Sequence, residues 1–103
     1  MKYRIWLDDI RTMPNNFDIW CKTGEEALKY IDSNSVSFIS FDHDLGENSI
    51  TGYDVAKRIE ELAVNNLIDK LEWQVHSANP VGAKNIELAM ISTERFWSYN
   101  ESN

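Results

Sequence analysis

Residues 3–9 read YRIWLDD, and this run decides the fold. Tyr3 to Leu7 is rich in strand formers, and Asp8 and Asp9, poor strand residues, stop it abruptly. A strand therefore delivers two carboxylates at its end. Residues 36–44, VSFISFDHD, repeat the pattern. There an apolar run of strand length, interrupted only by serines, ends in Asp42, His43 and Asp44 before a turn-like stretch from Leu45 to Ile50. Leu71 to Val75 is a further strand and ends in His76, Ser77, Ala78 and Asn79.

Working outward, Phe17 to Lys22 reads as another strand, after a loop from Ile10 to Asn16 that contains Pro14. Thr23 and Glu26 then form a capping-box signature. It opens a helix over Gly24 to Asp32 with Ala27, Leu28 and Ile31 on its inner face. Thr51 can cap a second helix running to about Asn65, in which Val55, Ala56, Ile59, Leu62 and Ala63 follow helical spacing. Asn79 before Pro80 starts a third helix, because asparagine caps free amides and proline tolerates the first helical position. That helix runs to about Trp97, with Ala83, Ile86, Ala89 and Met90 facing inward. One domain over residues 1–99 is expected, with Asn100 to Asn103 as a frayed tail.

Strands alternating with helices predict an α/β fold: a small, mostly parallel four-stranded sheet flanked by helices. Crossovers in such sheets are right-handed, and ligands bind beyond the carboxyl ends of the strands. All three polar clusters fall at those ends. The first connection stands apart, because the roughly ten residues from Asp8 to Phe17 are short for a parallel crossover, which usually takes a dozen or more. Either an abbreviated turn replaces a helix there, or that pairing is not parallel.

The chain has 103 residues, 43% of them hydrophobic, enough for one core and too few for two, so distant motifs can meet in one site. Its 17 acidic and 10 basic residues give a formal charge of −7. That charge repels phosphate backbones and argues against broad nucleic-acid binding. A small phosphorylated ligand remains compatible, because a divalent cation can reverse the local sign. The single cysteine, Cys21, lies among Phe17, Ile19 and Trp20 and reads as a buried thiol in a reducing compartment. No signal-peptide core or membrane span is legible, so a cytoplasmic location without membrane attachment is expected.

Asp8, Asp9, Asp42 and Asp44 offer hard oxygen ligands, and such carboxylates suit Mg²⁺ or Mn²⁺ better than zinc. Aspartate at a strand end is also ordinary turn chemistry, but four at two strand ends on one edge point to a shared cation. His43 and His76, the two histidines, fall at the same edge and could act as general acid or base, or ligate metal. Ser77 could hydrogen-bond a phosphoryl oxygen or satisfy a loop amide. Asn79 is a helix cap first. The helix it opens turns its positive end toward the site, with Gly82, Lys84 and Asn85 near the first turn. Arg11 could clamp a phosphate, against the default of pairing with a nearby acid. Trp6, Trp20, Trp73 and Trp97 read as core rather than as a base-stacking platform. No P-loop glycine pattern and no zinc spacing exist.

Asp8-Asp9 after the first strand, an acid after the third and Ser77-Ala78 after the fourth resemble the acid pocket and Ser/Thr position of response-regulator receiver domains. A closer resemblance is to the cyclic-phosphate processing receiver domain family. It rests on LDDIRTMP (7–14), FDHDLG (41–46), TGYDV (51–55) and HSANPVGAKNI (76–86). It implies an abbreviated receiver-like, flavodoxin-like three-layer domain, with Asp8 and Asp9 holding a divalent metal, Asp42 in the phosphoacceptor place and Asp44 beside it. His43, His76, Ser77 and Asn79 are its family-type polar residues. Unlike ordinary receivers, the chain lacks a first helix and ends before a fifth strand that would deliver the usual lysine, which argues against a phosphorelay.

The expected function is a metal-dependent phosphoesterase hydrolysing cyclic phosphates, either 2′,3′-cyclic phosphate RNA ends or cyclic nucleotides. In it Asp8, Asp9, Asp42 and Asp44 are metal ligands, and Asp42, His43, His76 and Ser77 are catalytic. Arg11, Asn79, Lys84 and Asn85 are the residues for substrate. Asp42 attacking directly is the variant mechanism. The alternative is a non-enzymatic binding or inhibitor module acting on a protein partner.

Overall fold

The computed structural model describes residues 1–102. Four strands and three helices form in the order β1 (Tyr3–Leu7), β2 (Ile19–Cys21), α1 (Gly24–Asp32), β3 (Val36–Phe41), α2 (Gly52–Val64), β4 (Glu72–Val75) and α3 (Pro80–Ser102). The strands make one sheet in the order β2-β1-β3-β4, and every pair is parallel. An abbreviated turn thus replaces the first helix, and the β1–β2 pairing is parallel after all.

Side chains alternate along each strand, so register decides which residues share a face. Ile5 and Leu7 align with Ile39 and Phe41 of β3, and Leu7 with Cys21 of β2. These five are fully buried in one core with Ala27, Ile31, Val55, Ile59, Ile86 and Met90 from the helices. The α1 and α2 crossovers both step toward β4, and right-handed crossovers in one direction place their helices on one face. In keeping with this, α2 packs against both α1 and α3.

The other face carries Arg4 and Trp6 of β1 and Phe38 and Ser40 of β3. Its cover is the β1–β2 loop, whose Phe17 packs edge-on against Trp6 and Phe38, at ring separations of 5.2 and 5.8 Å. The Arg4 guanidinium lies over both phenylalanine rings. The third layer is therefore a loop and its aromatic anchor rather than a helix, and this is where the receiver-like fold is abbreviated.

Local signals set the helix starts. Thr51 and Asp54 make a reciprocal capping box on α2. The box read for Thr23 and Glu26 is half made: the Thr23 hydroxyl accepts from the Glu26 amide, but the Glu26 carboxylate returns to that hydroxyl rather than to the backbone. Asn79 caps α3 through its Oδ1, which accepts from the Gly82 amide at 3.0 Å. The frayed tail expected at Asn100 to Asn103 is helical through Ser102, and Asn103 lies outside the described residues. No glycine or proline follows Gly82, so no stop signal ends the helix near Trp97. Cys21 is fully buried, and burial, aided by the Glu26 charge, pushes its thiol up to about 12, so it is inert packing. Among the described residues no helix is long and apolar enough to cross a membrane.

Gly52 ties the helical layer to the acidic edge. Its amide donates to the His43 carbonyl at 2.9 Å, and a Cβ there would lie 1.9 Å from the Asp42 carbonyl oxygen. Both atoms of that clash are pinned to backbone, so relief requires α2 to move away from β3. Gly52→Ala should therefore lower stability by about 3 kcal/mol, read as an earlier urea midpoint. A midpoint equal to wild type would contradict this close approach.

Candidate functional site

The strand register also builds the site. Leu7, Phe41 and Val75 are level across β1, β3 and β4, so the residues that follow them, Asp8, Asp42 and His76, are level too. The ladder continues one step beyond the strands: the Asp42 amide donates to Leu7 O at 2.9 Å and the His76 amide to Phe41 O at 2.9 Å. By alternation these three side chains lie on the side of Trp6 and Ser40, at the carboxyl edge.

Asp8 is 1% exposed and heavily bonded. Its Oδ1 accepts from the amides of Ile10 and Arg11, both at 2.8 Å, and its Oδ2 meets His76 Nε2 at 2.9 Å. Burial works to raise its pKa, but those amides and His76 together outweigh burial and hold it below the ordinary value. Asp42 goes the other way. Burial and then the charge of Asp8 raise its pKa, against the opposing pull of the His43 amide, Ser77 and His76. Each of Asp8, Asp9 and Asp42 offers an oxygen, and these oxygens lie within 4.8 Å of one another.

These carboxylates border a hollow of about 300 Å³. Asp44, Ser77 and Asn79 also line it, together with Ile10, 80% exposed, and Arg11 from the β1–β2 loop. Asp44 stands apart from the converging set: its oxygens engage His43 Nδ1 at 3.0 Å and Asn79 Nδ2 at 3.3 Å, and these bonds hold its pKa down. Arg11 does not take the default acid partner read for it. Its guanidinium donates to the His76 carbonyl at 2.9 Å.

The remaining candidates lie outside the lining. The His43 ring packs on Gly82, where a Cβ would come within 2.3 Å of Cγ. His76 sits behind Asp8, stacked on Trp6 with rings 3.9 Å apart and 4° from parallel. Lys84 and Asn85 are exposed on α3, and Lys84 lies roughly 200° around the helix from Gly82. The first turn of α3 also has few amides to spare: Pro80 has none, and those of Gly82 and Ala83 already donate to Asn79.

Three contributors escaped the sequence reading. Gly46 lines the hollow with φ of 90°, a left-handed conformation that favours glycine, beside Asp9. Its place in a turn-like stretch was the available signal. Ser40 and Gln74 support His76 from beneath, and only the three-strand register reveals them.

The opposed shifts of Asp8 and Asp42 fix the pH behaviour. Asp8 contributes stability above the ordinary carboxylate value, about 3.9, and loses it as pH falls through its lowered value. Asp42 is compatible with full stability at low pH and weakens the fold as pH rises through its raised value. Without metal, Asp42→Asn should therefore melt higher than wild type at pH 7, by roughly a few degrees, with the gap closing toward pH 3. An equal or lower melting temperature at pH 7 would contradict the cost of burying the Asp42 charge beside Asp8.

Residues 3–92 match the family described as the cyclic-phosphate processing receiver domain. No curated protein and no solved structure matches the chain. The matched span holds all four strands and every residue that lines the hollow. The parallel four-stranded sheet with its three helices and the acidic carboxyl edge agree with that match, and the chain belongs to the cyclic-phosphate processing receiver domain family.

Proposed function

We propose that this domain is a divalent-metal-dependent phosphoesterase that opens cyclic phosphates by hydrolysis. The observation that carries the reading is the meeting of Asp8, Asp9 and Asp42 oxygens within 4.8 Å at the edge of an open hollow. An all-oxygen donor set of this kind fits Mg²⁺ or Mn²⁺, and the Asp42 carboxyl, its pKa raised first by burial and then by the Asp8 charge, carries a charge that a bound cation would offset. Asp8, Asp9 and Asp42 are the residues that would hold the ion. When bound, such an ion offsets charge on phosphoryl oxygens and acidifies water.

The chain's own groups are then assigned as follows. The Ser77 hydroxyl, the Asn79 amide and the Arg11 guanidinium orient the phosphoryl group, all three lining the hollow. Water adds to phosphorus, one ring P–O bond breaks, and the leaving oxygen takes up a proton, giving a phosphomonoester. Proton transfer falls to the His43–Asp44 pair, because Asp44 lines the hollow while both ring nitrogens of His76 are occupied. The acidic walls favour a small ligand or a single RNA end over a long polyanion.

A second reading, a receiver-like module that docks on a protein, draws on Val81 and Leu88. These two exposed apolar residues are a heptad apart on one face of α3. The two readings separate in one experiment on the purified protein with Mg²⁺ or Mn²⁺. The substrates are 2′,3′-cyclic nucleotides, 3′,5′-cyclic nucleotides and an oligonucleotide ending in a 2′,3′-cyclic phosphate. Hydrolysis that stops with chelator and falls by about 100-fold in Asp9→Asn is expected. A folded protein that turns over none of these substrates would refute the enzyme and leave the docking module.

A further inference from the structure

Beneath the acid cluster runs a continuous polar chain. Gln74 Nε2 donates to Ser40 Oγ at 3.0 Å, Ser40 Oγ meets His76 Nδ1 at 2.7 Å, and His76 Nε2 meets Asp8 Oδ2 at 2.9 Å. Ser40 is fully buried one residue before the end of β3, where an apolar residue would be ordinary, and this chain accounts for it. We infer that His76 is a positioning residue for Asp8, locked by Ser40 and Trp6 so that its Nε2–H fixes the plane of the Asp8 carboxylate. The inference rests on the reading of Asp8 as a metal ligand.

Hydrogen-bond inventory selects the tautomer. With the proton on Nε2, each link has one donor and one acceptor: Gln74 gives to Ser40, Ser40 gives to Nδ1, and Nε2–H gives to Asp8. With the proton on Nδ1, Ser40 would accept twice and its own hydroxyl hydrogen would have no acceptor in this chain of groups, while Nε2 would turn a lone pair toward a carboxylate oxygen. The ring has little freedom to depart from this arrangement. It stacks on Trp6, whose own Nε1 donates to the Arg11 carbonyl at 2.9 Å and whose ring is braced by Phe17. The His76 side chain is 13% exposed.

The consequence for Asp8 is geometric. Its Oδ1 is saturated by two amides, and Oδ2 keeps one lone pair after accepting from His76. That lone pair is the one left to converge with Asp9 and Asp42. Outer partners that orient a ligating group in this way typically govern affinity by about 10–100-fold. A histidine in this role orients Asp8 from behind, whereas a proton carrier must face the substrate in the hollow.

The test separates these roles. In metal-free protein, ring ¹⁵N shifts should show His76 as the Nε2–H tautomer. Mn²⁺ affinity, measured by electron paramagnetic resonance with folding checked by thermal melting, should fall by about 10–100-fold in His76→Ala. It should stay near wild type in His76→Gln, whose amide reaches the Nε2 position as a donor that does not titrate. Ser40→Ala should fall between the two. The inference is overturned by an Nδ1–H tautomer, by unchanged affinity in His76→Ala, or by equal loss in the alanine and glutamine variants. It is also overturned by a His76→Gln protein that binds Mn²⁺ normally but has lost turnover. Wild type that binds no Mn²⁺ would remove the proposed function itself, which is a distinct result.

Discussion

The parallel register that levels Leu7, Phe41 and Val75 is the constraint on which the rest of the structure depends. One step further along the ladder it forces Asp8, Asp42 and His76 onto the same side of the sheet, two carboxylates and an imidazole on adjacent strands. Like charges so placed oppose folding unless something offsets them. The chain supplies part of the offset, through the Ile10 and Arg11 amides and the imidazole on Asp8 and the His43 amide on Asp42. What remains is an Asp42 pKa raised by burial and then by the Asp8 charge, and three converging oxygens, an arrangement that a hard cation would complete.

The reduced fold is arranged around this edge. All three helices cover the face opposite the acid side chains, and their packing on Ile5, Leu7, Ile39 and Phe41 supplies most of the core. The acid-bearing face has no helix among the described residues, and the β1–β2 loop covers it instead. That loop also supplies the Ile10 and Arg11 amides on Asp8, anchors Trp6 through the Arg11 carbonyl, and lines the hollow. A segment of about ten residues thus replaces a helical layer and forms one wall of the site.

Much of the fold was legible in the sequence because its signals are local. The abrupt stop of YRIWL at Asp8, the Thr51 cap and the Asn79-Pro80 start each depend on a few neighbouring residues. The convergence of Asp8, Asp9 and Asp42 could also be inferred, since strand ends of a parallel sheet share an edge. Other features depend on register. Which face each side chain occupies decides that His76 lies behind Asp8 rather than beside the hollow, and that Ser40 and Gln74 are its partners. Helical rotation likewise carries Lys84 away from the site. The end of α3 was missed for a different reason: a polar tail suggested fraying, while the lack of any breaker after Gly82 lets the helix run on to Ser102.

The central claim is that Asp8, Asp9 and Asp42 form one cation site, distinct from the generally acidic surface of a chain with net charge −7. Paramagnetic broadening of backbone amide resonances by substoichiometric Mn²⁺ tests it most directly. The account predicts broadening centred on Asp8 to Arg11, Asp42 to Asp44 and Ser77 to Asn79. Broadening spread over exposed acids such as Glu61 and Asp69, with no centre at the carboxyl edge, would contradict it.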